Sequence, residues 1–238
     1  MTEPHARHAL IMAAGRGMRM MPLTQAMPKA MAPYNGTTLI AHGIEKIRRH
    51  IPNIHVTVGY QGAMLAQHVI QHGAATVLNT EGHGNAWWLY NTFLSLLDEP
   101  VVVLTCDNVM ELDFARLHGD YVRYGEPACM VVPVKPVEGL EGDYIFHDDH
   151  VVTRLSRVDP APLYCSGIQI VNPTEVRRLT AEVGSFTQIW DQLIQVRELR
   201  ASQIYAQQWF AVDTVEQLKA AADAANEPPI GTIEEGGR

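Results

Sequence analysis

The chain has 238 residues, of which 47% are hydrophobic, and its 26 acidic residues outnumber 18 basic ones. A chain of this length and apolar content can bury a sizeable core, in one large domain or two small ones. The acidic balance, without a run rich in Lys and Arg, gives no electrostatic footprint for nucleic acid or for an anionic membrane, so we expect a small-molecule partner.

The sequence carries no signal for a membrane, for export or for a disulfide framework. No apolar run approaches the roughly 20 residues that cross a bilayer, and no long apolar core of a secretory signal is present. We therefore expect a cytoplasmic protein. Cys106, Cys129 and Cys165 are widely separated and lack C-x-x-C spacing, which argues against disulfides and a zinc site. The oligomeric state is not indicated.

Apolar runs alternate with amphipathic stretches in the first half, a pattern typical of βαβ units around a mostly parallel sheet. Strands are predicted for residues 8–12, 55–58, 75–78, 101–105 and 128–134. Helices are predicted for residues 39–50, 63–72, 85–97 and 114–124. The expected fold class is therefore α/β, with a Rossmann-like, mostly parallel sheet flanked by helices.

The pattern changes near residue 137. Short alternating runs at 144–147 and 151–156 predict a hairpin that belongs to a small β-rich lobe. The remaining predicted elements are a strand at 163–171, helices at 173–181 and 186–197, a strand at 204–212 and a helix at 215–225. Residues 227–238, rich in Pro, Gly and Glu, predict a disordered tail.

The first predicted strand runs into a loop that combines glycines with cations. Gly15 and Gly17 let the backbone approach a ligand without interference from Cβ. Arg16 and Arg19 lie in the same turn and Lys29 follows a proline, so three cations converge near backbone N–H groups. This combination indicates a polyphosphate site at the carboxyl edge of an α/β sheet.

Two commoner phosphate motifs do not fit this loop. The Walker pattern needs four residues between its glycines and a Lys-Ser/Thr pair, whereas one residue separates Gly15 from Gly17. The dinucleotide fingerprint needs a third glycine where Met20 lies, and Pro22 interrupts the helix that would begin there. A P-loop kinase and an NAD-dependent dehydrogenase are therefore disfavoured.

The loop resembles the signature of the nucleotidyltransferase superfamily that makes activated sugars, roughly G-x-G-[ST]-R-x-x-P-L-T-x-x-x-P-K. The matching positions are Gly15, Gly17, Arg19, Pro22, Leu23, Thr24, Pro28 and Lys29. Met18 stands where the family usually carries a small hydroxyl residue, so one phosphate hydrogen bond is lost and the cationic contacts remain. The resemblance implies Mg²⁺-dependent transfer of NMP from an NTP to a sugar 1-phosphate, with release of pyrophosphate.

Two carboxylates are the expected metal ligands. Asp107 follows the apolar run 101–106 and would project from a strand end into the crevice of the glycine loop. The resemblance implies that this Asp holds Mg²⁺ and that a second Asp after a late strand, matched by Asp213, completes the site. The alternatives are a turn residue at Asp107, and a helix N-cap at Asp213 with Glu216 in the capping-box position.

The resemblance also assigns residues around the nucleotide. The expected nucleotide-binding residues of the glycine loop are Ala13, Ala14, Gly15, Arg16 and Gly17. Arg19 is assigned to the triphosphate, and Lys29 to the α-phosphate and the acceptor phosphate. Both are expected catalytic residues, because a guanidinium fork binds phosphate oxygens and a compact ammonium opposes charge that builds in the transition state.

The 79–86 loop corresponds to the segment that reads the base in the resembling family. Its expected nucleotide-binding residues are Asn79, Gly84 and Asn85. Relatives often carry G-[TL]-[AG]-x-[AS] at the following helix start, whereas Trp87 and Trp88 occur here. Core packing and base stacking are both open for these two rings, and so is the choice of NTP.

The expected acceptor-binding residues are Asn108, Tyr144, Ser166, Gly167, Trp190 and Asp191. Ser166 and Gly167 lie in a stretch that resembles an N-x-G-x-[YF] strand motif, with Ser166 in place of a larger polar residue. Trp190 and Asp191, together with the dipeptide at 107–108, resemble choline-phosphate cytidylyltransferases, since a Trp beside a carboxylate can cage an ammonium group. The alternative is a Trp190 packed in a helix beside a solvated Asp191.

These assignments predict a single domain over residues 1–226, with a nucleotide-binding half at about 1–136 and an acceptor lobe at about 137–226. The expected partners are an NTP and a small phosphorylated acceptor, first a sugar 1-phosphate. One alternative is a CTP-dependent cytidylyltransferase acting on phosphocholine or another small phosphorylated alcohol. An alternative of another class is a non-catalytic nucleotide-binding regulatory module, motivated by Met18 and the unusual 84–86 sequence.

Overall fold

The computed structural model describes residues 6–137 and 142–226, so the predicted tail at 227–238 lies outside the described residues. The strands of the first half are β1 His8–Met12, β2 Pro33–Tyr34, β3 Thr37–Thr38, β4 Asn53–Val58, β5 Thr76–Asn79, β6 Val101–Thr105, β7 Asn108–Glu111 and β8 Cys129–Val134. Those of the second half are β9 Tyr144–Asp148, β10 Val151–Ser156, β11 Leu163–Val171, β12 Leu199–Ala201 and β13 Gln207–Ala211.

The helices follow the predicted amphipathic stretches in most places. They are α1 Leu23–Ala26, α2 Leu39–Arg48, α3 Gly62–Gln71, α4 Trp88–Asn91, α5 Phe114–Arg123, α6 Pro173–Leu179, α7 Phe186–Gln195 and α8 Val215–Asn226. Short 3₁₀ turns occupy Met18–Met20, Lys29–Met31 and Phe93–Leu96.

A nine-stranded sheet in the order β5-β4-β1-β6-β11-β8-β12-β10-β9 forms the centre of the molecule. The strands β5, β4, β1 and β6 are parallel, whereas β11 runs antiparallel to both β6 and β8. The hairpin of β9 and β10 lies at the far end, as predicted. This mixed α/β architecture confirms the expected fold class. Met12 pairs with Thr105, so the loops that follow β1 and β6 leave the sheet side by side.

Helices cover both faces of this sheet. One buried cluster packs α2, α3 and α5 on one face, and the helical period is visible in Ile40, Ile44 and Ile47 of α2. A second cluster packs α4, α6 and α7 on the opposite face. The strands between them are buried on both sides, which explains their continuous apolar sequences.

A third buried cluster attaches α8 to the glycine loop. Met20 and Tyr34 from the first 40 residues pack with Val212 and Leu218 near the end of the described chain. Because Val212 is fully buried, the residue that follows it is held beside the loop. The predicted strand and helix in this region thus bring Asp213 to the carboxyl edge of β1.

The prediction of one continuous helix at 85–97 is wrong, because the helix is interrupted at Thr92. Thr92 is extended (φ −124°, ψ 170°) and its Oγ1 donates to the Trp88 carbonyl, so α4 ends after one turn and a 3₁₀ turn follows. The strand predicted at 204–212 is shorter, beginning at Gln207. The short strands β7 and β12 were not predicted, because each has too few residues to show a period.

Candidate active site

The start of the glycine loop is fixed by the neighbouring strand. The Ala13 N–H donates to the carbonyl and to the hydroxyl of Thr57, at 3.2 and 3.1 Å. The Ala14 carbonyl accepts from the Tyr60 N–H at 3.1 Å. The N–H of the predicted residue Ala13 is therefore used in the sheet, and Ala13 is buried. Ala14 and Gly15 line a cleft at the edge of the sheet.

Gly17 is needed for both its conformation and its lack of a side chain. Its φ is +67°, and a Cβ there would lie 2.6 Å from the Lys29 Cβ. The Gly17 carbonyl accepts from the Thr24 hydroxyl at 2.9 Å, which fixes the turn. The glycine thus lets the stem of Lys29 pass directly against the loop backbone.

Lys29 lies between the two predicted metal ligands. Its ammonium donates to Asp107 Oδ2 and, at 2.7 Å, to Asp213 Oδ1, although the residue is only 8% exposed. Arg19 Nη2 lies 3.0 Å from the other Asp213 oxygen, Oδ2. The structure therefore brings together all four predicted catalytic and metal-binding residues at the ends of β1 and β6.

Electrostatics favour the charged form of the Lys29 ammonium. Burial by itself would lower the pKa of Lys29, but Asp107 and the hydrogen bonds to both carboxylates outweigh it, so the pKa lies above its usual value. Burial, and then the charge of Asp107, raises the pKa of the adjacent Cys106 thiol to about 12. Cys106 is therefore a neutral wall residue and not a nucleophile at neutral pH.

The start of α8 shows whether Asp213 caps this helix, which was the alternative to a metal ligand. Thr214 Oγ1 accepts from the Gln217 N–H at 3.2 Å. The Gln217 side chain accepts from the N–H groups of Asp213 and Thr214, at 2.7 and 3.0 Å. The cap of α8 thus consists of Thr214 and Gln217, and the predicted cap formed by Asp213 and Glu216 is wrong. The Asp213 carboxylate faces Lys29 and Arg19.

Asp107 and Asp213 are suited to share a divalent cation. Their oxygens converge on a single ammonium, so they already surround one position of positive charge. Within residues 6–137 and 142–226 no group of three or more His, Cys, Asp or Glu side chains could hold a metal. Two carboxylates completed by phosphate oxygens and waters form the oxygen-rich shell that Mg²⁺ prefers.

A second cleft lies on the other side of Gly15 and has a volume of about 390 Å³, within the range of small-molecule sites, about 300–1,000 Å³. The predicted residues in its wall are Ala14, Gly15, Arg16, Gly84 and Asn85. Tyr60, His83 and Trp88 also line it and were not predicted as ligands. The two clefts share Met12 and Gly15, so one elongated ligand can occupy both.

The two ends of the 79–86 loop differ in their contacts. The side chain of Asn79 accepts from the Glu81 N–H at 3.0 Å and lies outside the residues that line the cleft. Asn85 lines the cleft, and its Oδ1 accepts from the Phe186 N–H at 3.0 Å. Trp88 is buried in the core cluster, and Trp87 stacks on His83 at 4.2 Å between ring centroids.

Three of the predicted acceptor residues meet around a tryptophan that sequence reasoning missed. Trp209 Nε1 donates to Asn108 Oδ1 at 2.6 Å and to the Ser166 carbonyl at 3.1 Å. Gly167 has φ +81°, and a Cβ there would lie 3.3 Å from Asn108 Nδ2. The position of Trp209 four residues before Asp213, in a strand that returns to the site, was the available signal.

Of these three residues, Ser166 meets Trp209 only through its carbonyl, because its buried hydroxyl donates to the Val132 carbonyl at 2.7 Å. The other three predicted acceptor residues lie elsewhere. Tyr144 packs edge-on against Tyr164, 5.2 Å between ring centroids. Trp190 Nε1 donates to Gln169 Oε1 at 2.9 Å, Asp191 is exposed on the same helix, and neither lines the two clefts described above.

The part of the chain that holds the glycine loop, its cations and Asp107 is matched by a known family. A model of the nucleotidyl transferase family matches residues 8–156, which is more than half of the chain. The chain belongs to this family. Its members generally use divalent metal ions, in agreement with the fit of Asp107 and Asp213 to such a cation.

Two proteins are similar to part of this chain. This chain is 32% identical over 117 residues to the bifunctional protein GlmU of Methanococcus maripaludis. The match covers 48% of the chain and 25% of GlmU. It is 25% identical over 195 residues to the mannose-1-phosphate guanyltransferase of Aspergillus fumigatus. This match covers 76% of the chain and 53% of the guanyltransferase. The chain thus spans only about a quarter to a half of these relatives.

The fold is also found in solved structures. UDP-glucose pyrophosphorylase in complex with UDP-glucose superimposes with a TM-score of 0.72 at 18% identity, covering 92% of the chain and 98% of that structure. At this identity the likeness establishes the nucleotidyl transferase fold alone. Among the helices of the described residues, none is long and apolar enough to cross a membrane.

Proposed function

We propose that this protein transfers NMP from an NTP to a sugar 1-phosphate, releasing pyrophosphate and forming an NDP-sugar. The observation that carries the proposal is the cluster of Lys29, Arg19, Asp107 and Asp213 beside a cleft large enough for a nucleoside. The names of the relatives, a GlmU and a mannose-1-phosphate guanyltransferase, support the same reaction class.

In the proposed reaction a phosphate oxygen of the acceptor attacks the α-phosphorus of the NTP in line. The bond from the α-phosphorus to the bridging oxygen breaks, and pyrophosphate leaves with the electron pair. Lys29 neutralises the charge that builds on the α-phosphate, and Arg19 binds the departing phosphates through its planar fork. Asp107 and Asp213 would hold Mg²⁺, which supplies charge neutralisation for the phosphates when bound.

The nucleoside is assigned to the second cleft. The proposed ligand contacts there are the backbone around Ala14 and Gly15 and the Arg16 side chain, and the 79–86 loop forms part of the cleft wall. The Arg16 guanidinium lies over the Tyr60 ring, with its carbon 5.2 Å from the ring centroid. This contact holds the positive charge of Arg16 at the wall of the second cleft. This arrangement leaves the phosphate chain to cross Gly15 towards Lys29.

The phosphocholine alternative depended on an aromatic cage at Trp190 and Asp191. Because Trp190 is bonded to Gln169 and packs in the core, the observation favours a sugar phosphate over a quaternary ammonium. The regulatory alternative depended on Met18 and on the unusual 84–86 sequence. Met18 is 59% exposed at the edge of the phosphate cleft and leaves the cationic contacts of Lys29 and Arg19 in place. The 84–86 segment packs against residues 184–186.

The decisive experiment pairs ATP, GTP, CTP, UTP and dTTP with a panel of sugar 1-phosphates and with phosphocholine in the presence of Mg²⁺. We expect pyrophosphate release and the product mass of one NDP-sugar for one pair. Release with phosphocholine and CTP alone would support the cytidylyltransferase instead. Retained NTP binding with no pyrophosphate from any pair would support the non-catalytic module and overturn the proposal.

A further inference from the structure

The 79–86 loop and the start of α4 are attached to a distant segment of the chain at residues 180–186. The Ala86 N–H donates to the Gly184 carbonyl at 3.2 Å, and Asn91 donates to Glu182 at 2.7 Å. Tyr90 completes the attachment through its hydroxyl, which lies 2.8 Å from the Thr180 hydroxyl and donates to the Ala181 carbonyl. Polar contacts thus join two segments that are about 100 residues apart in sequence.

Gly84 allows the two backbones to approach this closely. A Cβ at Gly84 would lie 1.8 Å from the Gly184 carbonyl oxygen, which is shorter than any non-bonded contact. Gly84 has no positive φ that would otherwise require glycine. Its absent side chain is therefore explained by packing against residue 184, without any contact to a nucleotide.

Asn85 bonds to the first turn of α7. Its Oδ1 accepts from the N–H of Phe186, the first residue of the helix, which has no acceptor within the helix. Ser185 and Gln188 form the capping box of the same helix, so the first turn is rigid. An exposed loop side chain that bonds to a rigid, buried helix start is held in one orientation.

The same helix reaches the acceptor side. Trp190 Nε1 donates to Gln169 Oε1 on β11, two residues beyond Gly167. Gln169 is 2% exposed and also accepts from the Cys129 thiol at 3.2 Å. The helix α7 is thus fixed to the sheet at one point and to the 79–86 loop at another.

We propose that Asn85 is a positioning residue, whose Oδ1 holds the 79–86 loop against α7 in the conformation that receives the nucleoside. The proposal rests on the proposed function for the identity of the ligand, but the loop attachment stands on the contacts alone. A loop ordered before binding does not have to be ordered by the ligand, so the attachment raises nucleotide affinity without taking part in the chemical step.

A pair of substitutions separates positioning from direct reading of the base. Asn85→Ala removes both the acceptor and the amide donor. Asn85→Asp keeps the acceptor oxygen towards the Phe186 N–H and removes the donor, and its charge is favourable at a helix N-terminus. Asn53→Ala is the matched control, because Asn53 also bonds to backbone, at the opposite end of β4.

Two measurements are made on the full chain. Amide hydrogen exchange reports the order of residues 80–88, and titration of ATP, GTP, CTP, UTP and dTTP reports nucleotide affinity. We expect Asn85→Ala to speed exchange in this loop and to weaken binding of the accepted nucleotide about five- to tenfold, with kcat nearly unchanged. Asn85→Asp and Asn53→Ala should match the wild type in exchange and in affinity.

The results that overturn the proposal are distinct from failure of the proposed function. Unchanged exchange in Asn85→Ala shows that the bond does not order the loop. Weak binding by Asn85→Asp with wild-type exchange shows that this side chain acts on the nucleotide directly and not through the order of the loop. If the wild type binds none of the five triphosphates, the proposed function fails, and the exchange measurement still decides whether Asn85 positions the loop.

Discussion

Gly17 shows how one residue sets the position of a charge. Gly17→Ala would adopt a left-handed φ, which costs about 1–2 kcal/mol, and its Cβ would press on the Lys29 stem 2.6 Å away. We expect a lower free energy of unfolding by denaturant and a lower kcat/KM. Gly15→Ala is the control for stability, because its φ is not left-handed and no atom lies within 4 Å of its added Cβ. Equal stability of the two variants would show that the left-handed conformation is not required.

Lys29 is paired with both carboxylates, so it competes with a divalent cation for them. Lys29→Gln should therefore bind Mn²⁺ more tightly in the absence of nucleotide, by about tenfold if one charge-assisted hydrogen bond is at stake. Its kcat should fall by roughly 10²–10³, since the ammonium opposes transition-state charge. Electron paramagnetic resonance of free Mn²⁺ gives the affinity.

The control for this prediction is Lys46→Gln, which removes an ammonium paired with Glu111 outside the phosphate cleft. It should leave both Mn²⁺ affinity and kcat as they are. Weaker Mn²⁺ binding by Lys29→Gln would mean that the lysine supports the metal site and does not compete for it.

Two adjacent residues before α8 make different contacts: Thr214 caps the helix, whereas Asp213 faces Lys29 and Arg19. Thr214→Ala removes the N-cap acceptor for Gln217 and should cost about 1 kcal/mol in the free energy of unfolding. Asp213→Asn keeps the cap but should weaken Mn²⁺ binding, measured in the Lys29→Gln background where the lysine no longer competes for the carboxylates. The interpretation of Asp213 as a ligand fails if Asp213→Asn reduces stability as much as Thr214→Ala and leaves Mn²⁺ affinity unchanged.

Elements with a strong local signal were predictable from the sequence. The strands β1, β6 and β11 match their predicted bounds at 8–12, 101–105 and 163–171. Each is rich in apolar residues and is bounded by polar or turn residues. The break of the helix at Thr92 was not predictable, since it depends on a side-chain hydrogen bond to the turn before it. A window of sequence also cannot show that Asp213 leaves the cap to Thr214.

The candidate site depends on contacts between regions far apart in the chain. The sequence located Lys29, Asp107 and Asp213 separately, and their meeting follows from adjacent parallel strands and from the packing of α8 on the glycine loop. Trp209 and the 180–186 segment carry no recognisable motif, so their contacts with Asn108 and Asn85 became visible only in the folded chain. The site residues could therefore be predicted from local sequence, whereas their proximity depends on the topology of the fold.

The opposite end of the sheet carries a histidine pair that makes the fold sensitive to acid. His55 is 3% exposed; its Nε2 lies 3.0 Å from His8 Nδ1, and its Nδ1 lies 2.6 Å from the Thr76 hydroxyl. Burial, and then the neighbouring His8, lowers the pKa of His55 to about 4. Burial also lowers the pKa of His8, against the opposing effect of Glu99.

An unfolded chain protonates His55 near pH 6.5, so between pH 6.5 and 4 the unfolded state binds more protons and the folded state loses stability as the pH falls. For His55 alone the loss between pH 7.5 and pH 5 is about 2 kcal/mol. His55→Gln should reduce the slope of unfolding free energy against pH over this interval, as measured by urea denaturation. The exposed His147→Gln should keep the wild-type slope, and an identical slope in all three proteins would remove His55 as the source of the acid sensitivity.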